Sequence, residues 1–316
     1  MKKKIFRNFK SLLRNLRFCA SFRKDDYTKI ENFYKYLKFF KNKELKERAS
    51  YINKIDYDKL QKLERDGFIK INLENFINNK NFFLHLEKLK SNFNKIDWVN
   101  IGKGTQKENF LKSKEIEIDE NIKKISDPFI DIISSYTKYL PIMIGAAFWY
   151  SPNVSDEKTG SRSLHLDPDD YKQIKIFIPV DEITSDNGPL NVVDARQSRI
   201  IYNKLINDKI IIKRNQKISD ELAQQNFKIK LNELTMKKNE VYLVDTCRCY
   251  HFGSRKSIKS RKLIFLHFTP PFSAKSPLFF RNQKKDNIFL DRKDQLIYGF
   301  QKNVINHYKA KEYIKI

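Results

Sequence analysis

Cysteine is scarce in this chain, which has only Cys19, Cys247 and Cys249 among its 316 residues. Three thiols cannot supply the disulfide framework of a small secreted domain. The chain also lacks any run of ~18 apolar residues, the length that a membrane-spanning helix needs. Near the amino terminus, Arg14 and Arg17 interrupt the apolar residues before they reach the length of a signal-peptide core. We therefore expect a protein of the reducing cytoplasm, neither secreted nor inserted in a membrane.

Glycine is also rare, with 8 residues, whereas 63 lysines and arginines outnumber 38 aspartates and glutamates and give a net charge of +25. Such a charge favours an anionic partner, such as a phosphate-bearing substrate, nucleic acid or an acidic membrane. The same bias arises from the lysine-rich composition of an AT-rich genome, in which case the lysines are solvated surface. The apolar fraction of 40% and the 25 phenylalanines predict a buried core in either case.

The chain is predicted to contain one main domain with additions at both ends. Residues 1–57 have apolar side chains three and four apart and predict a basic helical extension, with nine basic and no acidic residues before Asp25. This arm could lie on an acidic lipid surface or on RNA, or it could pack on the domain. The main domain is expected at residues 58–270, with a polar helical insertion at about 196–239 and a tail at 271–316.

Short apolar runs separated by turn residues predict an antiparallel barrel or sandwich in the second half of the chain. A first strand is expected after the turn at Asp66-Gly67. Helices are expected from Phe82 to Phe93 and from Pro128 to about Tyr139. The further predicted strands are Ile144 to Tyr150, Ser163 to Asp167, Gln173 to Val180, Leu190 to Asp194, Glu240 to Val244 and Arg261 to Thr269.

His165 and Asp167 are the first candidate metal ligands, because residues two apart in an extended strand point to the same face. A lone His-x-Asp is weak evidence and needs a third ligand. His251 supplies it, since it follows the buried-looking strand "EVYLVD" after a short turn. Two histidines and one carboxylate form the facial triad that binds non-heme Fe(II) and leaves three coordination positions open. An alternative is a soft-metal site formed by Cys247, Cys249 and His251, although zinc sites usually need a second cysteine pair.

Arg261 opens the apolar strand "RKLIFLHF" and is a candidate clamp for a dicarboxylate co-substrate, because its planar guanidinium can hold a carboxylate with two hydrogen bonds. Tyr150 and Gln173 lie on strands predicted to line the barrel and are further candidates for co-substrate binding. His267 lies at even spacing from Arg261 and is expected to point inward as well.

The segments "HLD", "IKIFIPVDEITSDNGPLNVV", "EVYLVD" with "HFG", and "SRKLIFLHF" resemble, in order and spacing, the phytanoyl-CoA dioxygenase family of Fe(II)- and 2-oxoglutarate-dependent oxygenases. The resemblance covers roughly residues 58–270. One departure is Asp194-Ala195-Arg196-Gln197, where the family commonly has Pro-Gly-Ser-His.

The resemblance implies a mainly β fold with flanking helices, a double-stranded β-helix (jelly roll, cupin-like). It implies iron held by His165, Asp167 and His251, with the far carboxylate of 2-oxoglutarate on Arg261. The reaction would consume O2 and release succinate and CO2. Because halogenating relatives lack the carboxylate ligand, Asp167 favours hydroxylation of an unactivated C–H bond or a related oxidation. The substrate would be a small or carrier-linked molecule, anionic or phosphate-bearing if the surface charge is functional.

Three other functions remain open at this point. The charge is compatible with a nucleic-acid oxidative demethylase. Asp167-Pro168-Asp169 matches the Asp-x-Asp of nucleotide-sugar glycosyltransferases, but that fold needs a parallel sheet. An inactive barrel that serves as a binding module is the third alternative, and the intact ligand set argues against it.

Overall fold

Nine strands, eight α-helices and two short 3-10 helices are present in the part of the chain that the computed structural model describes. The described residues are 42–53, 57–101, 111–152, 158, 160–167, 172–211, 216–253, 255–271 and 291–299. Most of the predicted basic arm, with Cys19, most of the predicted tail, with His307, and the Pro168-Asp169 part of the Asp-x-Asp pattern lie outside them.

Six strands form the major sheet, in the order β1-β7-β4-β9-β3-β2. All neighbouring pairs are antiparallel. Strongly apolar segments with side chains buried on both faces form its centre, as expected for a sheet covered on both sides. The strands are β1 (Phe68–Asn72), β2 (Lys112–Glu115), β3 (Ile142–Ser151), β4 (Ile174–Pro179), β7 (Glu240–Val244) and β9 (Arg261–Thr269).

A minor sheet of three short strands faces one side of the major sheet, in the order β6-β5-β8. Its strands are β5 (Leu190–Val192), β6 (Asn232–Leu234) and β8 (His251–Phe252). The side chains of β9 alternate between two hydrophobic cores, one on each face of the major sheet. Leu263 and Phe265 pack toward the minor sheet, whereas Ile264 and Leu266 belong to the core on the opposite face. Two facing antiparallel sheets with flanking helices confirm the predicted double-stranded β-helix.

Helices cover the other face of the major sheet, and the helical insertion packs against the minor sheet. Among the described residues, no helix combines the length and apolar character needed to cross a membrane. The helices are α1 (Asn42–Ser50), α2 (Tyr57–Asp66), α3 (Leu73–Phe76), α4 (Lys80–Asn94), α5 (Glu120–Thr137), α6 (Ala195–Asn207), α7 (Asp220–Phe227) and α8 (Arg292–Tyr298).

Helices α1 and α8, from the two ends of the described chain, pack on the domain. Arg48 of α1 is fully buried and donates hydrogen bonds to the carbonyl oxygens of Leu140 and Leu296, each at 3.1 Å. Burial lowers the pKa of Arg48 to about 10. Ile297 and Tyr298 of α8 belong to the same hydrophobic core as helix α5. The described parts of the predicted amino-terminal extension and carboxy-terminal tail therefore contribute to the core.

Two predicted elements differ in the structure. Helix α5 begins at Glu120, well before Pro128, because the side chain of Asp119 caps the backbone N–H groups of Asn121 and Ile122. Pro128 lies inside the helix and does not begin it. Ser163 to Asp167, predicted as a strand, forms only isolated bridges. Its partner β8 is two residues long, so a regular ladder cannot extend along the segment.

Candidate metal centre

The backbone brings His165, Asp167 and His251 together. His165 and His251 exchange both backbone hydrogen bonds, at 3.1 and 2.9 Å, so the first residue of β8 lies directly opposite His165. The backbone N–H of Asp167 donates to the carbonyl oxygen of Thr246 at 2.9 Å, just beyond β7. One donor atom from each of the three side chains lies within 4.8 Å of the others. No other group of three metal-binding side chains occurs in the described part of the chain.

Both imidazoles present Nε2 to this cluster. Nδ1 of His165 lies 2.7 Å from the carbonyl oxygen of Ser163, and Nδ1 of His251 lies 2.9 Å from that of Cys249. A carbonyl can only accept, so each Nδ1 carries a proton, and in the neutral form of each ring Nε2 is the nitrogen with the lone pair. These Nε2 atoms lie 3.8 and 3.9 Å from the carboxylate oxygens of Asp167.

This donor set fits Fe(II). Two neutral imidazoles and one carboxylate are the ligands of the facial triad, which leaves positions open for other ligands. Burial, reinforced by the neighbouring His165, lowers the pKa of His251 to about 3. His251 is therefore neutral at physiological pH, which is the form that binds metal.

The carboxylate of Asp167 is held on one side by three donors. Its Oδ2 accepts hydrogen bonds from Lys175 Nζ, from Thr246 Oγ1 and, at 3.2 Å, from Gln173 Nε2. Burial alone would raise the pKa of Asp167, but the charge of Lys175 and its hydrogen bond to Oδ2 outweigh burial and hold the pKa well below its usual range. Asp167 is therefore ionised, as a metal ligand must be.

A cavity of about 190 Å³ lies between the two sheets and contains the cluster in its wall. Its other polar walls include Lys175, Thr246 and Arg261. The remaining wall is largely apolar and aromatic, formed by Leu111, Trp149, Phe177, Leu190, Leu234, Met236, Tyr242 and Leu263. Such a combination is typical of a small-molecule site, in which a few polar groups fix the orientation of a ligand.

Arg261 is buried in the wall of this cavity. Its Nη1 donates to the carbonyl oxygen of Gly188 at 2.7 Å and its Nη2 to Ser151 Oγ at 3.4 Å. Gly188 has a φ of 59°, in the left-handed region that glycine adopts readily, within the predicted turn before β5. Burial lowers the pKa of Arg261 to about 10, so the guanidinium remains charged at neutral pH.

Gly253 allows Arg261 this position. A Cβ atom at residue 253 would lie 3.3 Å from both Nη1 and Nη2 of Arg261. The glycine of the pattern "HFG" therefore lets the backbone after β8 come close to the guanidinium of Arg261.

The structure does not bring the other predicted site residues to the cavity wall. Tyr150 stacks on Trp98, with ring centroids 5.4 Å apart, whereas its neighbour Trp149 lines the cavity. Gln173 is fully buried behind Asp167, and its Oε1 lies 2.7 Å from Nε2 of His267. His267 thus points inward, as expected, but contacts Gln173.

The two cysteines near His251 do not form a metal site with it. The thiol of Cys249 donates to the carbonyl oxygen of Asp66 at 3.5 Å and packs against Gly67. Burial raises the pKa of the Cys249 thiol well above its usual value, so it is held as an unreactive thiol. Neither cysteine belongs to the metal-binding cluster found among the described residues.

Lys175 and Thr246 were not recognised from the sequence. Lys175 is the one charge in the apolar segment "IKIFIPV" and lies two residues from the inward-facing Phe177. A charged side chain at an inward position of a central strand is the signal that identifies it. Thr246 directly follows "EVYLVD", at the same turn that leads to His251.

Asp194 to Gln197, which replaces the Pro-Gly-Ser-His common in the phytanoyl-CoA dioxygenase family, has a local structural role. The side chain of Asp194 accepts a hydrogen bond from the backbone N–H of Gln197 at 2.8 Å and caps helix α6. Asp194 therefore begins the helical insertion.

No family model matches this chain, and no curated protein matches it. Several solved structures are similar in fold. The non-heme alpha-ketoglutarate-dependent carbocyclase SnoK from nogalamycin biosynthesis is 10% identical, with a TM-score of 0.45, over 72% of this chain and 87% of that chain. The epimerase SnoN, in complex with Fe3+, alpha-ketoglutarate and nogalamycin RO, is 8% identical, with a TM-score of 0.46, over 73% and 93%. EctD from S. alaskensis with bound Fe is 17% identical, with a TM-score of 0.42, over 68% and 77%. At these similarities, the chemistry of this chain must be argued from its own side chains.

Proposed function

We propose that this protein is an Fe(II)- and 2-oxoglutarate-dependent dioxygenase, similar to the phytanoyl-CoA dioxygenase family. It hydroxylates an unactivated C–H bond of a small or carrier-linked substrate and releases succinate and CO2. The observation that carries this proposal is that the His165–Asp167–His251 cluster and the guanidinium of Arg261 line one cavity. A metal triad with open positions and a buried cation suit a ligand that chelates at one end and carries a carboxylate at the other.

Each residue has a defined role in this proposal. His165, Asp167 and His251 would hold iron, which with a bound 2-oxo acid supplies the activation of O2. Arg261 would bind the far carboxylate, held in place by its hydrogen bonds to Gly188 and Ser151. The apolar wall excludes water from the reacting groups.

The charges of the cavity wall also indicate which class of ligand binds there. Its described walls carry two basic side chains, Lys175 and Arg261, against one carboxylate, Asp167. Bound Fe(II) would add two further positive charges, so anionic ligands are favoured. Trp149 stacks on Phe265 with ring centroids 4.0 Å apart, which gives this side of the site a rigid aromatic surface. We extend the proposal to a primary substrate with an apolar body and an anionic group.

The remaining segments of the chain also have proposed roles. The catalytic domain is proposed at residues 58–270, with the insertion at 196–239, and the basic arm at 1–57 is a candidate contact with an acidic membrane. The buried thiols of Cys247 and Cys249 suit the reducing cytoplasm that we propose for the protein.

Turnover of the co-substrate tests the proposal without knowledge of the primary substrate. Iron-loaded protein, supplied with O2 and 2-oxoglutarate labelled at the C1 carboxylate, is expected to release labelled CO2 and form succinate slowly. Asp167→Ala should reduce this release to the background of free iron, because one metal ligand is lost. Asp208→Ala, which removes an exposed carboxylate paired with Lys204, should leave it unchanged. Wild-type protein that releases no more CO2 than free iron would contradict the proposal.

A further inference from the structure

The position of Lys175 has a consequence for how the metal centre assembles. Lys175 lies on β4 with its side chain 12% exposed, and its ammonium group forms an ion pair with Oδ2 of Asp167. The same ammonium lies 5.6 Å from the centroid of the Phe265 ring, within reach of a cation–π interaction. A largely buried cation is thus placed directly on a carboxylate that belongs to the metal-binding cluster.

A metal ion and Lys175 compete for this carboxylate. Both are cations, and in a buried site their mutual repulsion is much stronger than in water. Oδ2 is already saturated by Lys175, Thr246 and Gln173, whereas Oδ1 accepts no hydrogen bond from any residue that the structure describes. Metal binding through Asp167 therefore places a divalent ion close to an ammonium that is already paired with the same carboxylate.

An anionic ligand relieves this repulsion. Lys175 lines the same cavity as Arg261, and its flexible side chain can contact a second carboxylate there while its stem stays on β4. The 2-oxo acid in our proposed function carries one carboxylate for Arg261 and a second beside the metal. The second carboxylate would offset the charge of both the metal and Lys175.

We infer that Lys175 is a positioning residue that makes tight metal binding depend on an anionic co-substrate. This inference rests on the proposed function, since it takes 2-oxoglutarate as the anion. Its basis is the ion pair with Asp167 and the shared cavity. The coupling is reciprocal: 2-oxoglutarate strengthens metal binding, and metal strengthens 2-oxoglutarate binding by the same factor. Gln173 and Thr246 have a different role, because their neutral hydrogen bonds orient Asp167 without repelling the metal.

Metal-binding isotherms test this inference without turnover. Mn(II) binding to the purified full-length protein would be followed by electron paramagnetic resonance, with and without 2-oxoglutarate. In wild-type protein we expect 2-oxoglutarate to tighten Mn(II) binding at least tenfold. Lys175→Met should bind Mn(II) alone at least tenfold more tightly than wild type, and 2-oxoglutarate should then add less than threefold. Lys175→Arg, which keeps the charge, should retain the wild-type coupling.

Two further variants separate charge from structural support. Thr246→Val should weaken Mn(II) binding, by the 10- to 100-fold typical of outer hydrogen-bond partners of metal ligands. Lys172→Met is the matched control, because Lys172 is also 12% exposed but pairs with Glu64 and not with Asp167. This variant should leave the coupling unchanged.

The outcomes distinguish the inference from the proposed function. Weaker Mn(II) binding in Lys175→Met, as in Thr246→Val, would show that Lys175 only supports Asp167 and would overturn the inference. Full coupling in Lys175→Met would also overturn it. If Lys175→Met alone binds Mn(II) more tightly but 2-oxoglutarate has no effect on any variant, competition with the metal stands and the proposed co-substrate fails. Absence of Mn(II) binding in every variant would overturn both.

Discussion

Replacement of His251 by alanine is expected to weaken metal binding by more than about 100-fold, since loss of an outer partner alone typically costs 10- to 100-fold. His251 supplies one of three side chains in the cluster, and its Nε2 is aimed at the site by the hydrogen bond from Nδ1 to Cys249. With two side chains left, the site can no longer hold iron as a facial triad. Isothermal titration with Mn(II) or Co(II) measures the effect.

The control for this substitution is His85→Ala. His85 lies on α4, where its Nδ1 is 2.9 Å from Asn121 Oδ1, and it belongs to neither the cluster nor the cavity around it. This variant should bind metal like the wild type. Equal metal affinity in His251→Ala and wild type would mean that the metal is held elsewhere.

Replacement of Arg261 by methionine is expected to weaken 2-oxoglutarate binding by about 100-fold, because charge-assisted bidentate hydrogen bonds to a carboxylate are lost in a buried site. Metal affinity without 2-oxoglutarate should stay within threefold of wild type, since Arg261 contacts Gly188 and Ser151 and not the cluster. Equilibrium binding of 2-oxoglutarate to Mn(II)-loaded protein measures the change.

Three further variants test this prediction, two of them as controls. Lys262→Met removes the next charge along β9, which pairs with Asp181 on the surface, and should have no effect. Gly253→Ala should cause a smaller loss than Arg261→Met, because its Cβ displaces the guanidinium by only a few tenths of an ångström. Gly145→Ala is the matched glycine control, with no atom within 4 Å of the added Cβ. Unchanged 2-oxoglutarate affinity in Arg261→Met would exclude Arg261 as the clamp.

Much of the fold could be predicted because its central strands carry strong patterns. The apolar runs at β4, β7 and β9 are flanked by turn residues, and the structure confirms strands at all three positions. The predicted helix from Phe82 to Phe93 is likewise confirmed as α4. The expected start of helix α5 at Pro128 is wrong, because the cap at Asp119 and the buried apolar residues before Pro128 determine where the helix begins.

The order of the polar residues along the chain allowed the metal-binding cluster to be predicted. Which side chains of some strands line the cavity could not be predicted. Trp149 and Tyr150 are adjacent aromatic residues, and either could face the cavity. The register of β3 shifts between Met143 and Gly145, so counting from the start of the strand does not decide between them. The partner of Lys175 was also beyond the sequence, because the ion pair with Asp167 depends on where an irregular segment lies against β4.

The most direct test of the account is anaerobic titration of the purified apoprotein with Fe(II) and then 2-oxoglutarate. A 2-oxo acid chelated to iron gives a weak visible charge-transfer band, which needs both the metal triad and open positions beside it. The account predicts that this band appears at one equivalent of each ligand and does not appear with Fe(II) alone. Bound iron that gives no band with 2-oxoglutarate would contradict the dioxygenase function proposed for this protein.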